Sequence, residues 1–96
     1  MDYRLLFTQR ALNDLAEIIG YIAEDDDQAA LRFGSALLDH VDLLGRLPHM
    51  AGTLRKRSSV RKLVHSPILV YYQVHEQKLM VEVLHFRHGA RKPPEF

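Results

Sequence analysis

Residues 68–86, ILVYYQVHEQKLMVEVLHF, decide the fold. Two runs dense in β-branched and aromatic residues, 68–74 and 78–86, flank the polar HEQ at 75–77. Such side chains pack well on a pleated, half-buried surface. A short polar break between two of these runs reads as a β-hairpin. Successive side chains of a strand point to opposite faces. Leu79, Val81 and Val83 are therefore expected on one face, and Met80, Glu82 and Leu84 on the other. Glu82 marks the second face as one that water reaches at least in part, so only the first needs a full apolar cover.

The cover lies upstream. Leu12, Leu15, Ile19 and Ile22 recur at the spacing of one α-helical stripe. Thr8 precedes them, and its hydroxyl can cap the helix. A second stripe, Ala30, Phe33, Leu37, Val41 and Leu44, follows the acidic EDDDQ at 24–28. There Asp26 or Asp27 can cap, and negative charge suits a helix N-terminus. Gly45 and Pro48 are stop signals. Gly34 inside the second helix costs about 1 kcal/mol relative to alanine, so it is read as a point of close approach to the other helix or to the sheet. Before the helices, Tyr3, Leu5 and Phe7 alternate within DYRLLF (2–7) as a short first strand. After them comes a cationic connector, HMAGTLRKRSS (49–59), then VRKLVH (60–65), another strand, punctuated by Ser66-Pro67. The order is β-α-α-β-β-β. It predicts one α+β domain over residues 1–96, with a helical hairpin packed on one face of a small antiparallel sheet.

Composition sets outer limits. The chain is 47% apolar and 26% charged, an ordinary globular balance. It has no cysteine, which removes disulfides and thiolate metal sites and fits a reducing compartment. No run nears the ~20 apolar residues of a membrane helix, and MDYRLLFTQR lacks the apolar stretch of a signal peptide. A cytoplasmic protein with no membrane partner is expected. The net charge of +1 conceals an asymmetry. Residues 1–48 set four arginines against nine acids, and residues 49–96 set nine lysines and arginines against three acids. A basic half suits an anionic partner. Arg55, Lys56, Arg57, Arg61 and Lys62 form one cationic group, and Arg87, His88, Arg91 and Lys92 another. They make a single patch if both groups lie on the uncovered side of the sheet or on one rim.

The six histidines raise two chemistries. A metal site is not expected. His85 and His88 are three apart, which on a strand puts them on opposite faces, and no carboxylate accompanies them in sequence. Acid–base chemistry is open. Cleavage of RNA through its 2′-OH needs a base, an acid and a cation to stabilise the phosphorane. His65, His85 or His88 with Arg61, Arg87 or Arg91 could supply that set. There is no Gly-rich phosphate loop and no G-x-S-x-G. Of the adjacent Tyr71 and Tyr72, one is expected in the core and its neighbour on the other face, where base stacking is the functional alternative to packing.

Taken in order, these segments resemble the RelE/ParE family of toxins from bacterial type II toxin–antitoxin systems, and its ParE branch in particular. FTQRALNDLAEIIGYIA (7–23) is similar to the family's first strand and helix, above all in Ala11, Asp14, Leu15, Ile18 and Tyr21-Ile22-Ala23. AALRFGSAL (29–37) and LLGRLPHMAG (43–52) look like its second helix and Leu-Pro-x-x-x-Gly exit, here Leu47, Pro48 and Gly52. VRKLV carries an Arg-x-Leu pattern at Arg61 and Leu63. VYYQV (70–74) and VLHFRHGARKP (83–93) look like the last hairpin, and HGAR (88–91) is the most specific piece.

The resemblance implies a cognate antitoxin whose C-terminal segment wraps around the toxin, with Arg55, Arg57, Tyr71 and Phe86 as expected contacts. It also implies a target contacted by Arg61, Arg87, His88, Arg91 and Lys92. RelE-like members cut mRNA in the ribosomal A site, and ParE-like members inhibit DNA gyrase. Nuclease members often carry an arginine three residues before the Tyr of Leu-Val-Tyr-Gln-Val. The matching residue here is Leu69, ahead of Tyr72. Losing a cation that stabilises transition-state charge costs on the order of 3 kcal/mol. Gyrase is therefore the expected target, with no catalysis, cofactor or metal. The alternative is ribosome-dependent mRNA cleavage by Arg61, His85, His88 and Arg91. A third reading is a homologue without toxicity that binds only its antitoxin.

Overall fold

The structure, a computed structural model, describes residues 2–55 and 59–89. Four strands and two long helices follow the expected order: β1 Arg4–Phe7, α1 Gln9–Asp25, α2 Asp27–Asp42, β2 Val60–His65, β3 Ile68–His75 and β4 Met80–His88. A 3₁₀ turn, Leu43–Gly45, extends α2, and another, Glu76–Lys78, joins β3 to β4. The sheet order is β1-β4-β3-β2. β2, β3 and β4 pair antiparallel, but β1 pairs parallel with β4. The sheet is mixed, which corrects the expectation of an antiparallel one.

The cause is where the helices deliver the chain. The Tyr3 amide donates to the Gly45 carbonyl at 2.6 Å, so the helical excursion returns to the end of the sheet where β1 begins. β2 therefore starts at that end, β3 runs back, and β4 runs the same way as β1. The close fit at Gly45 leaves little room for a side chain, since a Cβ there would lie 3.1 Å from the Tyr3 carbonyl.

Both helix starts are capped as the residue types require. Thr8 Oγ1 accepts from the Ala11 amide at 3.0 Å. Asp26 accepts from the Gln28 and Ala29 amides, while its own N–H closes α1 on Ile22. This single residue ends one helix and starts the next, which makes the hairpin tight. Gly34 marks helix-on-helix contact: a Cβ there would lie 2.9 Å from Ile19 Cδ1.

The second stripe is placed as expected. Ala30, Leu37, Val41 and Leu44 are buried, with Phe33 packed against the core. The first is rotated by one residue. Ala11 is fully buried, whereas Leu12 is 46% exposed. Thr8 ties the start of α1 to β4, and the face this turns toward the sheet is that of Ala11, Leu15 and Ile18. Beneath the helices lie Leu63 of β2, Ile68, Val70 and Tyr72 of β3, and Val81, Val83 and Phe86 of β4. The Tyr72 hydroxyl donates to the Pro48 carbonyl at 2.9 Å, so this core phenol has a partner.

Two expectations for the hairpin fail. Leu79 is not a strand residue; it ends the turn with a φ of 50° and is exposed. More consequentially, the β3–β4 register shifts between Tyr71 and Tyr72. Tyr72 faces Val83 and Tyr71 faces His85, so Leu84 is an extra residue in β4. Strict alternation would put Phe86 on the face of Glu82. The bulge puts it on the face of Val83, stacked on Phe7 at a centroid distance of 6.3 Å and 1% exposed. Phe86 is a core residue, and its side chain is not offered as an antitoxin contact.

The rotation of α1 is testable. Ala11→Asp is expected to destabilise the domain by several kcal/mol in urea melts, because a charge would enter the core unpaired. Leu12→Asp is expected to stay within about 0.5 kcal/mol of the parent. The reverse ranking would mean that the other face of α1 meets the sheet.

Candidate functional site

β4 outruns its neighbour. β1 pairs only from Met80 to Val83, which leaves the bulge and everything after it on a sheet edge. The first turns of α1 replace the missing strand. The Thr8 amide donates to the Val83 carbonyl at 3.0 Å, and the Thr8 hydroxyl to the Leu84 carbonyl at 3.0 Å. Asp14 Oδ2 then accepts from the Phe86 amide at 3.2 Å and from His85 Nδ1. An edge carbonyl and amide that strand pairing would have satisfied are bonded to side chains instead.

This anchoring organises a cluster on the sheet face away from the helices. His85 Nε2 lies 3.4 Å from Arg10 Nη2. Arginine can only donate, so the geometry assigns the acceptor role to Nε2 and the proton to Nδ1, toward Asp14. The Tyr71 ring stacks on His85 at 5.9 Å and 18°. Arg87 Nε donates to the Tyr71 hydroxyl at 2.8 Å, its guanidinium stands 5.7 Å from the ring centroid, and Nη1 reaches the His88 carbonyl at 3.2 Å. Cation–π contact and hydrogen bond together fix the arginine over the tyrosine. Lys62, exposed, is the cross-strand partner of Tyr71 on the β2 side. Tyr71 and His85 themselves are 2% and 9% exposed. Tyr71, expected among the antitoxin contacts, is thus a packed platform under Arg87.

Arg61 lies elsewhere. It pairs with Tyr72, on the helix-covered face, and its Nη1 donates to the Ala51 carbonyl at 2.7 Å. Together with the Tyr72–Pro48 bond this pins the connector to the sheet, so the Leu-Pro exit and the Arg-x-Leu pattern act on one another. Arg61 and Arg87 stand on opposite faces, and the single patch expected to include both is not formed. Lys62 and Arg87 share the second face instead. Arg55 is exposed in the connector, and His88 is exposed at the end of β4, opposite Ile68. Arg57, Arg91 and Lys92 lie outside the described residues.

Other ionisable groups have structural roles. Burial raises the Tyr72 phenol above its ordinary range, against a smaller pull from a backbone hydrogen bond and Arg61. At the end of the sheet where β1 begins, the Tyr3 hydroxyl and His49 both bond the Glu76 carboxylate. The Tyr3 bond and then the His49 bond hold Glu76 below the usual carboxylate range, and the same contact raises Tyr3. Among the described residues no group of three or more histidines and carboxylates is placed to hold a metal ion.

Thr8, Arg10 and Asp14 were not site candidates in the sequence. Their signal is faint: Asp14 is an acid on the inner flank of an apolar stripe, between Ala11 and Leu15. An acid in that place needs a partner, and the bulged strand supplies one.

The chain matches the ParE toxin family of type II toxin–antitoxin systems (parDE) over residues 5–93. It is 33% identical over 94 residues to Y4kP of Sinorhizobium fredii, a candidate toxin, covering 96% of this chain and 94% of that protein. In fold it is similar to the toxin–antitoxin complex RelBE2 from Mycobacterium tuberculosis, with a TM-score of 0.72, 19% identity and coverage of 92% of this chain and 99% of that one. It is likewise similar to the chromosomal ParDE system from Pseudomonas aeruginosa, with a TM-score of 0.73, 22% identity and coverage of 90% and 95%. The chain belongs to the ParE toxin family of type II toxin–antitoxin systems.

The role given to Asp14 has a direct check. Asp14→Ala leaves the Phe86 amide and His85 without their acceptor and is expected to cost about 1–3 kcal/mol in denaturant melts. Stability equal to the parent would mean that the edge of β4 is held by other contacts.

Proposed function

We propose that this chain is a toxin that inhibits DNA gyrase and is neutralised by a cognate antitoxin. The observation that carries the reading is the separation of the nuclease candidates. Cleavage through a 2′-OH needs a base, an acid and a cation converging on one phosphate. Arg61 is bonded to Ala51 on the helix-covered face, while His85 is on the other face with both ring nitrogens engaged. Arg61 therefore does not converge with His85, and the cation that shares the face of His85 is Arg87, held by the Tyr71 hydroxyl and the His88 carbonyl. Leu69, at the position where nuclease members often carry an arginine, lies opposite Arg87, whose guanidinium is committed to Tyr71 and His88. A protein that acts by binding its target needs no such convergence. The family match supports the ParE branch.

An antitoxin partner is supported by the neighbouring folds, which were solved as toxin–antitoxin systems. Arg55, Lys62 and the exposed Val64 are the contacts proposed from the described residues, with Arg57 as a further one. An acidic, apolar, disordered segment that folds on binding fits that mixture of charge and apolar surface. Target contact is assigned to Arg87 and His88 together with Arg91 and Lys92. The protein is proposed to act in the cytoplasm. No helix among the described residues is long and apolar enough to cross a membrane.

Purified protein added in excess to gyrase and relaxed plasmid is expected to block supercoiling, and added antitoxin to restore it. Full supercoiling at excess toxin, together with codon-positioned cuts in an in vitro translation reaction, would assign the chain to the mRNA-cutting branch instead.

A further inference from the structure

His40 and His65 take no part in the functions proposed above, yet they meet side chain to side chain. His40 is in the last turn of α2 and His65 is the last residue of β2. Their Nδ1 atoms are 2.9 Å apart. The ring centroids are 5.1 Å apart, close to the N···N gap plus one ring radius on each side. The two nitrogens therefore face one another nearly head-on. A chelated metal needs two lone pairs converging on a third point, so this is the geometry of an N–H···N hydrogen bond and not of a two-histidine metal site.

We infer that His40 and His65 form a proton-sensitive latch, in which one shared N–H···N bond fastens α2 to the end of β2 and a second proton on the pair releases it. The bond requires one Nδ1 to carry a hydrogen and the other to lack it. With both rings neutral, or with a single added proton, this holds. With two added protons both nitrogens are donors, both rings are cationic, and attraction becomes repulsion. His40, in the last turn of α2, is placed to be the N–H donor of the bond. His65 is then the acceptor. Its surroundings agree: Phe33 of α2 meets it edge-on at 5.7 Å, and β3 presents the apolar Ile68 opposite. β4 presents His88 beyond Ile68 in the same row, and Asp39 beside His40 is exposed. Burial first, and then His40, lower the His65 imidazole from its ordinary value.

The latch sits where its release would be felt. His65 leads directly into the Ser66–Pro67 turn, and the Pro67 carbonyl accepts from the Gly89 amide at 2.7 Å. That bond fastens the exit of β4, just beyond His88. Acidification is thus coupled through the latch to the end of the sheet assigned to target contact. The sign follows from linkage. A histidine held neutral in the folded state binds its proton more readily when unfolded, so stability falls as pH drops below the unfolded value of about 6.5.

The test is an NMR titration of the full chain from pH 8 to 4.5, following histidine ring nitrogens and the Gly89 amide. His65 is expected to stay neutral, with only one ring nitrogen protonated, to a pH below its ordinary midpoint, with the Gly89 amide shifting in the same step. His40→Gln keeps a polar partner without the second charge. In that variant the His65 midpoint is expected to rise, the Gly89 step to move with it, and the melting temperature to fall less between pH 7 and 5. An ordinary His65 midpoint in the parent overturns the latch. So does a His65 midpoint that His40→Gln leaves unmoved.

Discussion

The grip of α1 on the unpaired half of β4 is the constraint from which the rest of the molecule follows. Thr8 and Asp14 bond the carbonyls of Val83 and Leu84 and the amide of Phe86, at the place where Leu84 is squeezed out of register. That extra residue exchanges the two faces of the strand. Upstream of it Val81 and Val83 face the helices; downstream Phe86 does so, and His85 and Arg87 turn away. Without the shift, an imidazole and a guanidinium would be driven into the core, a costly place for polar groups without partners. A large aromatic ring would meanwhile be left outside it. The bulge resolves both problems, and Asp14 pairs with the imidazole it displaces.

From that constraint comes the division of the cations. Arg61 stays beneath the connector as a structural clasp, and Arg87 is laid over Tyr71 on the opposite face. A sequence in which most basic residues fall in one half invites the picture of one positive surface. The fold separates them instead, with Arg61 fastening the connector to the sheet and Lys62 and Arg87 on the second face.

The parts of the fold legible in the sequence are those set by local periodicity and capping. Thr8, the acidic turn at Asp26, the stripe from Ala30 to Leu44, and the strands at 60–65 and 68–75 all declare themselves through spacing and residue type. The parallel pairing of β1 does not, because it depends on where a two-helix excursion returns the chain, and the Tyr3–Gly45 contact that fixes this spans most of the first half. The burial of Ala11 in place of Leu12 is a rotation of a single position, set by the tie between Thr8 and β4. The bulge is the deepest omission. Leu84 is an apolar residue within an apolar run, with no glycine or proline to mark it, so alternation carried past it assigns Phe86 to the wrong face. Phe86, whose side of the sheet depends on that phase, lies in the core, while Arg87 and His88 stand at the end of β4, where the sequence alone places them.

The decisive measurement is the pattern of interstrand nuclear Overhauser effects across β3 and β4. The account requires close backbone contacts between Tyr72 and Val83 and between Tyr71 and His85, with Phe86 side-chain contacts to Phe7. Regular pairing of Tyr71 with Leu84 and of Val70 with His85 would contradict it, because His85 would then face the helices and the face assignments on which the site rests would be reversed.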